Sequence, residues 1–62
     1  MNNTNKKLVI TFKEGQELLG VGKNTMLELC HRDDFPSFKL GGKWLINYEK
    51  LKQWVDDMTG DN

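Results

Sequence analysis

A chain of 62 residues has room for one domain and one small core, because at this size only about 60% of the unfolded chain's surface leaves water on folding. Nine basic and nine acidic residues give a formal net charge of zero, which excludes a uniformly basic surface and confines any attraction for a polyanion to a local face. No cleft between domains can form, and little material remains to support a catalytic centre, so a non-enzymatic binding module is expected.

An apolar share of 37%, including six aromatic residues, argues against disorder over most of the chain. A lone cysteine, Cys30, excludes an internal disulfide and gives no sign of an oxidising compartment. No apolar run approaches the roughly 18 residues of a membrane span, and the polar start Met1-Asn2-Asn3-Thr4-Asn5 lacks a signal-peptide core. A cytoplasmic protein without a membrane partner is the expectation. Residues 1–7 read as a flexible leader, 8–58 as the folded domain and 59–62 as a flexible tail.

The first ordered segment, Leu8-Val9-Ile10, is β-prone but too short to stand alone, so it is expected to pair with a later strand. Thr11 with Glu14 three residues on is a capping box, which fixes a helix start. That helix carries Phe12, Gly15 or Gln16, Leu18 and Leu19 as an inward stripe. Gly15 costs a helix interior about 1 kcal/mol and makes sense where a second helix crosses closely. Gly20-Val21-Gly22 is a turn in which two glycines permit unusual dihedrals around one apolar plug.

The second helix begins at about Lys23, with Met26, Leu29 and Cys30 inward and Lys23, Asn24, Leu27, Glu28 and His31 outward. It stops before Phe35-Pro36, because proline disfavours a helical residue ahead of it. Ser37-Phe38-Lys39-Leu40 and Lys43-Trp44-Leu45-Ile46-Asn47 flank Gly41-Gly42, a strong hairpin signal. Alternation suggests Phe38 and Leu40 inward with Trp44 and Ile46, and Lys39, Lys43 and Leu45 outward. Asn47 then caps a last helix, Tyr48 to about Met58, with Leu51, Trp54, Val55 and Met58 as its stripe.

The order is strand, helix, turn, helix, hairpin, helix: a small α+β winged helix-turn-helix, an arrangement that sets one helix in a DNA groove beside the hairpin. Lys23, Asn24 and Thr25 open the second helix, where backbone amides, the helix dipole and a lysine charge suit phosphate; the alternative is that Asn24 or Thr25 only caps the helix. His31 either reads a base or phosphate or complements the helix C-terminus. Lys39 and Lys43 flank a glycine tip whose bare backbone can approach phosphate. Trp44 and Trp54 suit either base stacking or core filling. Cys30 and His31 are adjacent and diverge on a helix, so no metal and no cofactor is expected, and the inward Cys30 is no nucleophile.

Thr11 through Glu14, Leu18-Leu19-Gly20-Val21, Lys23 to Thr25, Pro36, Leu40-Gly41-Gly42-Lys43-Trp44, Ile46 and Leu51 with Trp54 together resemble the excisionase-type helix-turn-helix family, small winged-helix DNA binders related to the MerR group. The likeness spans about Ile10 to Val55. It implies a protein that binds and bends double-stranded DNA near the ends of an integrated mobile element and assists an integrase, or a related transcriptional regulator. Carried onto this chain, it implies recognition by Lys23, Asn24, Thr25, Glu28 and His31, and wing contacts by Lys39, Gly41, Gly42 and Lys43. The family commonly has a basic residue where Glu28 stands; neutral charge and this carboxylate fit a third possibility, a protein-interaction adaptor that has lost DNA affinity. A free monomer, cooperative on DNA, is expected from the small size.

Overall fold

The computed structural model describes residues 7–60. In chain order they form β1 (Val9–Thr11), α1 (Phe12–Leu19), α2 (Lys23–Cys30), β2 (Ser37–Leu40), β3 (Lys43–Asn47) and α3 (Tyr48–Met58). Most of the leader, residues 1–6, and the end of the tail, 61–62, lie outside the described residues. No helix among those described is long and apolar enough to cross a membrane.

The short first strand finds its partner in β3. Val9 pairs with Asn47, Ile10 with Ile46 and Thr11 with Leu45, and the antiparallel sheet runs β1-β3-β2 with β3 in the middle. Three strands with helices on one face suffice where an isolated hairpin would be marginal.

Thr11 ends β1 and starts α1 through both halves of the capping box. Its hydroxyl accepts from the Glu14 amide at 3.1 Å, and its own amide donates to the Glu14 carboxylate at 2.9 Å. Lys7, placed by sequence in the leader, reaches the same carboxylate at 2.6 Å. That bond, more than the one from Thr11, holds Glu14 below the usual carboxylate range. At the far end, Asn47 accepts from the Lys50 amide at 3.0 Å and caps α3 as expected. Thr59 and Gly60 close α3, the Thr59 hydroxyl donating to the Asp56 carbonyl.

The core is Ile10, Met26, Cys30, Phe35, Ile46 and Leu51, with Phe12, Leu19, Val21, Leu29, Trp44, Tyr48 and Trp54 packed around it. Each fully buried aliphatic or aromatic side chain stabilises the fold by roughly 1.5–3 kcal/mol. Gly15 sits where α1 presses on α2 and β3: a Cβ there would lie 2.5 Å from Ile46 Cδ1 and 2.9 Å from Met26 Cε. The glycine is therefore a close-approach residue, against the sheet as well as against the second helix.

Four expectations change. Phe38 and Leu40 do not share a face with Trp44 and Ile46. A two-residue turn pairs Leu40 with Lys43 and Phe38 with Leu45, and directly opposed residues project to the same side. Phe38, Leu40, Lys43 and Leu45 thus form the outer face, while Ser37, Lys39, Trp44 and Ile46 face the helices. Leu18 and Met58, assigned to inward stripes, are both 58% exposed, because each lies at the margin of its helix's buried arc. Leu27 is half-buried rather than outward. Phe35, read as a loop residue, is buried and meets Trp54 edge-to-face at 4.9 Å; it plugs the core from the loop.

Candidate nucleic-acid interface

The corner between α1 and α2 sets the direction of the second helix. Gly20 ends α1 in the left-handed region, at φ 69°, and its amide donates to the Gln16 carbonyl, an arrangement a side chain would strain. Gly22, expected to share this property, has an extended backbone at φ −82° and ψ 178° and serves as the N-cap of α2. One special dihedral suffices because Val21, half-buried against the core, already fixes the corner.

No side chain caps α2. The alternative that Asn24 or Thr25 is the cap is therefore wrong: both lie inside the helix, past the capping position. The first-turn amides of α2 and its positive dipole end are left without a side-chain acceptor, an environment that favours an anion. Met26 and Cys30 anchor the helix in the core, so Asn24, Thr25, Glu28 and His31 line an exposed stripe with Lys23 at its start. Burial pushes the Cys30 thiol up from its ordinary value of 9.0, a side-chain bond from Ser37 opposing.

His31 closes α2. Its Nδ1 lies 2.8 Å from the Leu27 carbonyl; a carbonyl only accepts, so Nδ1 carries a hydrogen and Nε2 is the nitrogen free for other partners. The ring stands edge-on to Trp44, centroids 5.6 Å apart at 72°. The Lys39 ammonium lies 5.4 Å from the same indole. Trp44 thus joins the end of α2 to the hairpin. Sequence reasoning placed this residue only as core or stacking platform; the signal that locates it is the two-residue turn, which sets Trp44 opposite Lys39.

Gly41 and Gly42 have φ of 58° and 80°, the positive pair that a type I′ hairpin turn demands. The tip carries no side chain between Leu40 and Lys43. Lys23, Lys39 and Lys43 are exposed, and within α2 and the hairpin Glu28 is the one carboxylate, so these elements together carry a net positive charge. The remaining cation near α2, Arg32, is held by both oxygens of Asp34 at 2.8 and 2.9 Å, which raises the Arg32 pKa and lowers that of Asp34. Its fork is thereby turned to a carboxylate rather than left for phosphate. All nine residues singled out by sequence are exposed, and the ring contact between His31 and Trp44 joins the end of α2 to the hairpin.

Two short helices joined at a glycine corner, the second with an uncapped start and a solvent-facing stripe, define a helix-turn-helix. Residues 9–59 match a family model described as a helix-turn-helix domain. The chain belongs to this family. Neither curated proteins nor solved structures give a significant match.

Proposed function

We propose that the protein is a non-catalytic, sequence-specific binder of double-stranded DNA, an excisionase that bends the ends of an integrated element and helps an integrase remove it. The α2 stripe enters the major groove and the hairpin acts as a wing. What supports this reading is the His31–Trp44 contact, 5.6 Å between ring centres, which joins the end of α2 to the hairpin. Lys23 and the first-turn amides of α2 meet phosphate; Asn24, Thr25 and His31 reach base edges; Glu28 accepts from a cytosine amino group. Lys39, Lys43 and the Gly41-Gly42 backbone hold the flanking strand.

One such module buries roughly 600–1,000 Å² on DNA, too little for tight binding at a solitary site. The monomer therefore acts cooperatively, on repeated sites or with a recombinase. The test is an excision assay with the integrase and element ends: added protein should drive excision, and Asn24→Ala should abolish the effect. Binding to a promoter without any effect on recombination would instead mark a small regulator of transcription.

A protein-interaction adaptor is the second reading, favoured by Glu28 in the middle of the α2 stripe and by the zero net charge. It requires negligible affinity for duplex DNA even at low salt.

A further inference from the structure

The outer face of the hairpin is left without a task by the contacts described above. Leu40 is 62% exposed and Phe38 41%, on strand positions that face away from the helices, where an ordinary half-buried sheet carries polar residues. On that face Lys43 lies directly across from Leu40, and no carboxylate occurs in the sequence between Asp34 and Glu49. Beyond Leu40 the chain narrows to two glycines with nothing but backbone.

We infer that Leu40, backed by Phe38, is an apolar wedge that enters a minor groove and opens a base step, and that the ligand is DNA carrying a deformable pyrimidine–purine step. The inference rests on the DNA-binding role proposed above. Three observations select this occupant. An apolar residue with a lysine directly across from it on the same face complements a groove walled by phosphates. The diglycine turn is thin enough to approach a minor groove only about 6 Å wide. The hairpin is also tied to the end of α2 through Trp44 on its inner face, so a wedge on the outer face near the tip acts on DNA flanking the site that α2 holds. Side chains such as leucine and phenylalanine inserted from the minor groove unstack and kink a duplex, most cheaply at TA or CA/TG steps. A wedge on this face converts a small contact into a bend.

The experiment uses the full chain and two duplexes with the same flanks. One has a central TA step with 2-aminopurine beside it, the other a stiff A-tract, and both carry end-labels for energy transfer. The wild-type protein should raise 2-aminopurine fluorescence, shorten the end-to-end distance and prefer the TA duplex by about tenfold, equivalent to about 1.4 kcal/mol. Leu40→Ser, at an exposed site, should keep the wild-type melting temperature and bind the A-tract within about threefold while losing preference, fluorescence change and bend. Lys23→Ala should weaken both duplexes alike. If the Leu40→Ser protein bends and prefers TA as the wild type does, the wedge is wrong and the DNA-binding role stands. If the wild type binds neither duplex at low salt, both fall. If Leu40→Ser instead abolishes self-association in sedimentation and leaves the DNA measurements unchanged, the face is a contact between copies.

Discussion

Substituting Gly15 by alanine tests the packing that holds α2 in place. Alanine favours a helix interior over glycine by about 1 kcal/mol, so a site with room would gain stability. Here the added methyl would meet Ile46 Cδ1 at 2.5 Å and Met26 Cε at 2.9 Å. Both atoms end flexible side chains, but both residues are completely buried, so displacing them disturbs a filled core. Overpacking of that kind costs roughly 1–3 kcal/mol. Set against the helix gain, the net loss is about 1 kcal/mol, and for a domain of this size that lowers Tm by about 4–8 °C. Ile46→Val removes the Cδ1 atom that makes the closest contact. In that background Gly15→Ala should become nearly neutral, a coupling of about 1 kcal/mol measurable by urea unfolding of the four proteins. If Gly15→Ala stabilises the wild type by the full helix increment, the close approach of α1 to β3 and α2 is not as described.

Gly42→Ala, at φ 80°, should cost about 1–2 kcal/mol although space is open there, because an L-residue is strained in the left-handed region; Gly41→Asn should be nearly neutral in the same thermal melts, asparagine being favoured at that turn position. Removing Lys23 or Lys43 should reduce the slope of log affinity against log salt by about 1 each, read by fluorescence anisotropy, whereas Glu28→Gln, which keeps an acceptor oxygen but removes the negative charge, should tighten binding to non-specific duplex. Glu14 and Asp34 are both held below their ordinary values of 4.5 and 3.8. Their bonds therefore stabilise the fold fully above that range and are lost as pH falls through the lower folded values. Stability measured by circular dichroism should be flat above about pH 5 and decline below it, and less steeply in Glu14→Gln. Cys30, buried and with its pKa raised, should react with iodoacetamide slowly in the native protein and rapidly in urea.

Element order and helix starts were legible because they rest on local chemistry. Thr11 with Glu14, Asn47 and Gly41-Gly42 act within a few residues of themselves, and the structure places each where sequence puts it. Faces of the hairpin were not legible from alternation alone. Period-2 patterning assigns Phe38 and Leu40 together and Trp44 and Ile46 together, but which pair lies inside depends on register. The two-residue turn pairs residues whose numbers sum to an odd total, so even positions on β2 face with odd positions on β3. Phe35 was missed for a different reason: a loop residue before proline has no periodicity, and only the space between α3 and the loop draws it in. Of the candidate site, the exposed stripe on α2 followed from the buried spacing of Met26 and Cys30. The link through Trp44 did not, since it joins segments far apart in the chain.

The central claim is that the start of α2 and the hairpin tip together hold one duplex. Amide shifts recorded while a mixed-sequence duplex is titrated into the protein at low and moderate salt test it most directly. Changes should concentrate at Lys23, Asn24 and Thr25 and at Lys39 through Lys43, and weaken together as salt rises. Silence at both places, with no shift even at low salt, would contradict it.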